Sequence, residues 1–136
     1  MSETILERFR LDGRVALITG AGQGIGKAFA CALGEAGAKV AIADLRAELA
    51  DQVSHELEEQ HVQTLSVTAN VADPQSVEAM VAKVIDHFGA LHIAFNNAGI
   101  NKNSPAEETP LEDGTRRSRS ICEAFSPAVK RKDVTC

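Results

Sequence analysis

The sequence predicts an α/β fold, a doubly wound parallel sheet built as βαβαβαβ with strands in the spatial order 3-2-1-4. Three observations predict it. Short apolar runs alternate with stretches of helical period along most of the chain. The connections between them are short, and right-handed crossovers then leave few other arrangements. A glycine-rich turn also follows the first apolar run directly, where a strand of such a sheet passes into its helix.

Each element has its own signal. Arg14 to Thr19 is an apolar run that ends in glycines, as a strand buried on both faces would be. Gly24 to Ala36 follows as a helix, with Ile25, Phe29, Ala32, Leu33 and Ala36 spaced to share one buried face, and Gly37 stands where a C-terminal glycine belongs. Lys39 to Asp44 is the second strand. Ala47 to Gln60 is an amphipathic helix, setting Leu49, Val53 and Leu57 against acidic residues. Thr64 to Ala69, with Thr64, Val67 and Thr68, is the third strand. Asp73 and Pro74 then open a helix, a capping carboxylate before a proline at the first helical position. Its buried stripe is Val77, Met80, Val81, Val84 and Ile85, Gly89 follows its end, and His92 to Asn96 is the fourth strand.

Composition bounds the function. At 136 residues the chain holds one domain, and 44% hydrophobic with 24% charged residues is an ordinary globular profile. No apolar run nears the ~18 residues that cross a bilayer. Met1 to Arg10 lacks the basic start and apolar stretch of a signal peptide. Cys31, Cys122 and Cys136 have neither metal-ligand spacing nor a disulfide pattern, so a cytoplasmic location is expected. A net charge of −5 argues against a nucleic-acid partner, and no membrane partner is expected. The chain contains no tyrosine and no tryptophan. Charge is uneven: residues 1–113 carry eight Lys/Arg and seventeen Asp/Glu, residues 114–136 six and two, which marks a boundary near Asp113.

The most informative stretch is Thr19 to Gly26, read Thr-Gly-Ala-Gly-Gln-Gly-Ile-Gly. Between a strand and a helix, glycines let backbone N–H groups approach a pyrophosphate, and the helix N-terminus adds partial positive charge. Gly26 also lets the helix lie close on the strand. Glycines alone report only turn geometry. Asp44 adds weight, because it ends the second strand eighteen residues after Gly26, near the ~20 expected of a carboxylate that accepts ribose hydrogen bonds. Read plainly, it is a solvated strand-end carboxylate capping the next helix. A carboxylate there repels a 2′-phosphate, which favours NAD over NADP, and Arg46 softens that discrimination.

The pattern Thr-Gly-x-x-x-Gly-x-Gly at 19–26 resembles the glycine motif of the short-chain dehydrogenases/reductases, which have a Rossmann-type sheet. Asn96-Asn-Ala-Gly99 resembles that family's second signature, and Asn70-Val71 falls where the family usually carries Asp-Val. The resemblance covers residues 9–112, a partial NAD(P)-binding domain. It implies that Gly20, Gln23, Gly24, Ile25 and Gly26 hold the pyrophosphate, and that Asp44 with Leu45 meets the adenosine ribose. It implies that Asn70 and Val71 flank the adenine, and that Asn96, Asn97, Ala98 and Gly99 support the sheet and approach the nicotinamide-side ribose. Asn70 keeps an oxygen acceptor and adds a donor. His55, His61, His87 and His92 are scattered, so no metal site is expected, and Cys31 reads as a packing residue.

The resemblance further implies an NAD(P)-dependent oxidoreductase that interconverts alcohol and ketone, homo-oligomeric when whole. Asn101 to Pro105 resembles the polyol dehydrogenases of the family. The family's Ser, Tyr and Lys carry the reaction, yet this chain has no tyrosine, so no catalytic residue is assigned and an inactive chain is expected. Residues 113–136 form an irregular tail unlike the family. A one-nucleotide deletion after the Asp113 codon explains that tail. Restoring one T lets the same string be read with a segment Asp-Leu-Arg-Gly-Val-Phe, which resembles the family's next helix. The fourth strand would then keep an exposed edge, and a marginal or aggregating product is expected. The competing reading is a non-catalytic NAD-binding module. A third, that the basic tail (Arg116, Arg117, Arg119, Lys130, Arg131, Lys132) contacts nucleic acid or membrane, has no aromatic residue but Phe125 for stacking and no amphipathic period.

Overall fold

A computed structural model describes residues 3–99. The elements are α1 (Ile5–Arg8), β1 (Val15–Thr19), α2 (Gly24–Glu35), β2 (Lys39–Asp44), α3 (Ala47–Glu59), β3 (Thr64–Thr68), α4 (Pro74–Phe88) and β4 (Ile93–Phe95). The strands form one parallel sheet in the order β3-β2-β1-β4, as the alternation of runs predicts. Register places Thr19 beside Ala43, Asp44 beside Thr68, and Ile18 beside Phe95.

The pleat explains why β1 and β2 read as continuous apolar runs. Successive side chains point to opposite faces, and both faces are covered. Ala16, Ile18, Val40 and Ile42 pack with Ala30 of α2 and with Ala50, Val53 and Leu57 of α3. Val15, Leu17, Ala41 and Ala43 pack with Val77, Met80, Val81 and Val84 of α4. Two helices on one face and one on the other make the sheet doubly wound. Each large side chain in these clusters contributes about 2–3 kcal/mol by burial.

The buried face of α2 differs from the expected one. Gly26, Ala30 and Gly34 are buried, whereas Ile25 is 69% and Phe29 38% exposed. Ala32 is exposed, and Leu33 and Ala36 are only half-buried. Close approach decides this: a Cβ on Gly34 would stand 3.1 Å from both methyls of Val62, so only a small-residue stripe lets α2 settle against the layer beneath. Phe29 instead stacks on Phe95 of β4, ring centroids 4.7 Å apart.

Helix ends follow their local chemistry. Asp73 caps α4 by accepting the Gln75 N–H at 3.0 Å, and Gly89 ends it at φ +86°. After α3, His61 takes the left-handed position at φ +64°. Its N–H donates to Glu58 O and the Val62 N–H to Leu57 O, a Schellman closure built without glycine. Element α1 was not expected, because none of its residues is buried and it shows no period. Its signal is the reciprocal capping box of Thr4 and Glu7, where Thr4 N–H donates to Glu7 Oε2 at 2.7 Å. That hydrogen bond, with the one from the Thr4 hydroxyl, holds the Glu7 carboxyl below its usual range.

Strand β4 spans fewer residues than expected, since His92 and Asn96 fall outside it. His92 still ties the strand to β1: its N–H donates to Val15 O, and its Nδ1 accepts the Val15 N–H, both at 2.9 Å. Among the described residues no strand pairs with the outer edge of β4.

Candidate functional site

In a parallel sheet every strand ends on the same edge. The segments after β1, β2, β3 and β4 therefore gather along one rim, and all the residues expected to bind cofactor lie there. The sheet's order also parts the connections at β1, which runs to β2 on one side and pairs with β4 on the other, the point where such sheets open a crevice.

The turn after β1 is held by its neighbours. Gly20 sits at φ +65°, and a Cβ there would lie 2.9 Å from the Cα of Ala98. Asn97 Nδ2 donates to Gly20 O at 3.3 Å. Thr19 Oγ1 accepts the Ala98 N–H at 3.1 Å and donates to Phe95 O at 3.4 Å. The Asn-Asn-Ala-Gly segment thus locks against the glycine turn through Asn97 and Ala98, while Asn96 and Gly99 remain exposed. Gly26 is required by the same junction rather than by the strand beneath: a Cβ there would overlap Gly20 O and approach Asn97 Nδ2 to 2.6 Å. Thr19 was read from sequence only as the end of the first strand and the first residue of the glycine motif, with no role assigned to its hydroxyl.

Asp44 joins the second strand to the same turn. It is buried, and its two carboxylate oxygens accept different backbone donors: Oδ2 the Gly22 N–H and Oδ1 the Arg46 N–H, each at 3.0 Å. The plain reading of Asp44 as a solvated end-of-strand carboxylate therefore gives way to a strut between two segments. Gly22 must be small for this reason, since a Cβ would stand 2.7 Å from Asp44 Oδ2 and 2.6 Å from Leu49 Cβ. Leu45, next in sequence, is 67% exposed on the rim.

The N-terminus of α2 opens toward this rim. Gln23 provides no side-chain cap, and no acidic residue stands in the first turn. The first N–H groups of the helix therefore keep their capacity for an anion. Gln23, Gly24 and Ile25 are exposed. Gly24 has φ +60°, and a Cβ there would meet no atom within 4 Å, so the space above the turn is open. One residue past Gly26, Lys27 reaches away from the rim to Glu56 of α3 at 2.6 Å. Its hydrogen bond, followed by that of Gln52, holds the Glu56 carboxyl below its usual range.

Beyond β3, the Ala69 N–H donates to Asp44 O at 3.0 Å, which keeps Asn70 beside the Asp44 segment. Asn70 is exposed; Val71 is half-buried and packs on the core under α4. The Asn70 side chain closes a turn by accepting the Ala72 N–H at 3.0 Å. Two shallow depressions, about 340 and 400 Å³, lie at the opposite end of the sheet and share Lys39, Val62 and Gln63.

The rim is a turn of closely packed glycines with an uncapped helix N-terminus and a buried carboxylate one strand away. A model of the short chain dehydrogenase family matches residues 14–121. The chain belongs to that family. Human 15-hydroxyprostaglandin dehydrogenase [NAD(+)] is 48% identical over 101 residues, 73% of this chain and 38% of that protein. D-threitol dehydrogenase of Mycolicibacterium smegmatis is 43% identical over 105 residues, 77% of this chain and 40% of that protein. The structure of a 7 alpha-hydroxysteroid dehydrogenase complexed with NADH and 7-oxo glycochenodeoxycholic acid superposes with a TM-score of 0.80 at 32% identity, covering 90% of this chain and 48% of that one. The chain thus spans less than half the length of these relatives. Its family is one of oxidoreductases that use NAD(H) or NADP(H).

Proposed function

We propose that this chain is the dinucleotide-binding half of an oxidoreductase that interconverts an alcohol and a ketone, with NAD as its cofactor. The observation that carries this reading is the buried Asp44 carboxylate, fixed by the Gly22 and Arg46 N–H groups beside the uncapped N-terminus of α2. The residues fit the group. Backbone N–H groups of Gly24, Ile25 and Gly26 would face the pyrophosphate, with Gly20 shaping the turn and Gln23 at its lip. Asp44 would accept the adenosine ribose hydroxyls, with Leu45 beside it, while Asn70 and Val71 flank the base. Asn96 to Gly99 would border the nicotinamide side, where Asn97 holds Gly20 in place. The nicotinamide, once bound, supplies the hydride acceptor or donor. Each oxygen of Asp44 already has one N–H donor and keeps a further lone pair for the ribose.

The preference for NAD rests on Asp44, because a 2′-phosphate beside a fixed carboxylate is repelled. A polyol is the substrate class we favour, on Asn101 to Pro105, which lie outside the described residues, and on the likeness to the threitol enzyme. The comparable identity of an enzyme named for a prostaglandin gives that choice no further weight. With no tyrosine in the chain, the proton-transferring apparatus that the resemblance implies is not in these residues, and we read the chain alone as inactive. The tail fits a changed reading frame after Asp113, also outside the described residues; sequencing the gene across that codon tests it, and a frame with no room for the extra T removes the idea.

Calorimetric titration of the 136-residue chain with NAD and NADP tests the cofactor assignment. NAD is expected to bind at least about tenfold more tightly, a difference of 1.4 kcal/mol. Equal affinities would remove the case for NAD, and no binding of either would remove the site.

A further inference from the structure

We propose that His92 is a pH-responsive positioning residue: with Nδ1 unprotonated it latches β4 onto β1, and its protonation releases the strand that orders the glycine turn. The consequence for a ligand rests on the assignment of the rim as the dinucleotide site; the latch itself does not. His92 alone holds both polar backbone groups of Val15. The His92 N–H donates to Val15 O, and the Val15 N–H donates to His92 Nδ1, both at 2.9 Å. The register of β1 with β4 begins one step later, at Ala16 and Ile93. The imidazole therefore stands in for a ladder carbonyl where the pairing starts. Val15 is 1% exposed, so losing this acceptor leaves a buried donor unpaired.

A neutral imidazole accepts at one ring nitrogen and donates at the other, whereas the imidazolium donates at both. The bond from Val15 thus fixes the Nε2–H tautomer, and a proton added at Nδ1 sets donor against donor. His92 is half-buried, within reach of solvent protons. On the elements around it, β1 carries no titratable residue, although Arg14 precedes it and Lys39 of β2 pairs with Val15. The helix α2, which meets β4 through Phe29, carries Lys27 and Glu35, and α4 carries Glu78, Lys83, Asp86 and His87. Among the described residues none of these forms an ion pair with His92. The docked state keeps Nδ1 free of a proton, whereas an opened strand accepts one. Docking is therefore strongest above the window in which imidazole changes charge, about pH 5 to 8, and weakens as pH falls through it. Release of β4 withdraws the Ala98 N–H from Thr19 Oγ1 and Asn97 Nδ2 from Gly20 O. Protonation at one end of the strand thus loosens the turn at the other.

Two variants separate the acceptor from the charge. His92→Asn offers an amide oxygen near the position of Nδ1, an acceptor that does not titrate. His92→Phe keeps a ring and has no acceptor. The ¹⁵N-labelled chain and both variants are compared at about pH 8 and about pH 5.5. Amide protection, corrected for the intrinsic rate at each pH, is read at Asn97 and Ala98 against Leu17 and Ile42, without ligand and in saturating NAD. In the parent, protection of Asn97 and Ala98 relative to the core is expected to fall by about tenfold at the lower pH, the scale of one hydrogen bond. His92→Asn is expected to hold its protection at both values, and His92→Phe to be poorly protected at both. Ring ¹⁵N shifts at the higher pH are expected to show the Nε2–H tautomer. A Nδ1–H tautomer, a parent indifferent to pH, or a loss that persists in His92→Asn overturns the latch. So does a His92→Phe chain as well protected as the parent at the higher pH. Saturating NAD, which requires the ordered turn, is expected to restore protection at the lower pH. If NAD changes nothing while the variants behave as expected, the dinucleotide site fails and the latch stands.

Discussion

Replacing Asp44 by asparagine probes the site at the residue that ties its two segments together and that we propose selects its ligand. In the structure the two oxygens of Asp44 accept separate backbone donors, Gly22 N–H and Arg46 N–H, each at 3.0 Å. Asparagine has one oxygen. Whichever way its amide turns, one of the two N–H groups meets an NH2 group in a buried position. Hydrogen bonds to a charged acceptor contribute about 1.5–3 kcal/mol each, and neutral ones about 1. Losing one and weakening the other costs about 2–4 kcal/mol. At a urea slope of about 1–2 kcal/mol per molar, the unfolding midpoint falls by roughly 1–4 M, read by far-UV circular dichroism at low protein concentration. The same substitution removes the charge facing a 2′-phosphate. Two unit charges 4 Å apart repel by about 1 kcal/mol in water and about 4 at an effective dielectric of 20. The proposed preference for NAD over NADP is therefore expected to narrow by about fivefold or more. A midpoint that barely moves would show that the strut carries no stability. An unchanged NAD to NADP ratio would sink its role in selection, independently of the first result.

Gly26→Ala and Gly24→Ala separate crowding from backbone strain. The first forces a Cβ onto Gly20 O and Asn97 and is expected to destabilise by about 1–3 kcal/mol, as overpacking does, while the second meets open space and costs only the left-handed penalty of about 1 kcal/mol; equal urea midpoints would refute the close junction. His61→Gly relieves the left-handed residue that closes α3 and is expected to stabilise by about 0.5–1 kcal/mol, checked in the same titration, where a loss of stability would refute the argument. The outer edge of β4 is unpaired among the described residues, so scattering from the purified chain is expected to rise with concentration. A monodisperse monomer with a sharp melt counts against that.

Much of the fold was legible because its signals are local and agree. Asp73 with Pro74 marked the start of α4, Gly37 and Gly89 marked helix ends, and the apolar runs of β1 and β2 announced strands covered on both faces. The buried face of α2 was misread for a physical reason. Hydrophobicity selects Ile25 and Phe29, but the interface there is limited by backbone distance, which selects Gly26, Ala30 and Gly34. Element α1 buries nothing, so periodicity could not reveal it. At the rim, spacing located Asp44 and the glycines, while the family resemblance alone pointed to Asn70. The interlock of Thr19 with Ala98 and of Asn97 with Gly20 joins residues more than seventy positions apart, and pairings at that range depend on strand register.

That interlock ties the site's order to its least secured strand. β4 pairs with β1 through three register positions and, among the described residues, has no neighbour on its other side. Its further anchors include His92 against Val15, the Thr19 hydroxyl on Phe95 O, the stack of Phe95 on Phe29, and the packing of Ile93 on the core. Segments with so few contacts open most often. Opening of β4 withdraws Ala98 from Thr19 and Asn97 from Gly20 in one event, so the glycine turn loses both supports together. Ligand binding and β4 docking are then linked, because a dinucleotide that requires the ordered turn binds the docked state alone. At a concentration one hundred times its dissociation constant, such a ligand stabilises by about 2.7 kcal/mol. Amide exchange at Ala94, Asn97 and Ala98 is therefore expected to slow by about a hundredfold in saturating NAD, while Leu17 and Ile42 in the core change less. Equal protection at all five positions would show that β4 opens only with the whole sheet. No protection at β4 would separate the turn from the strand that holds it.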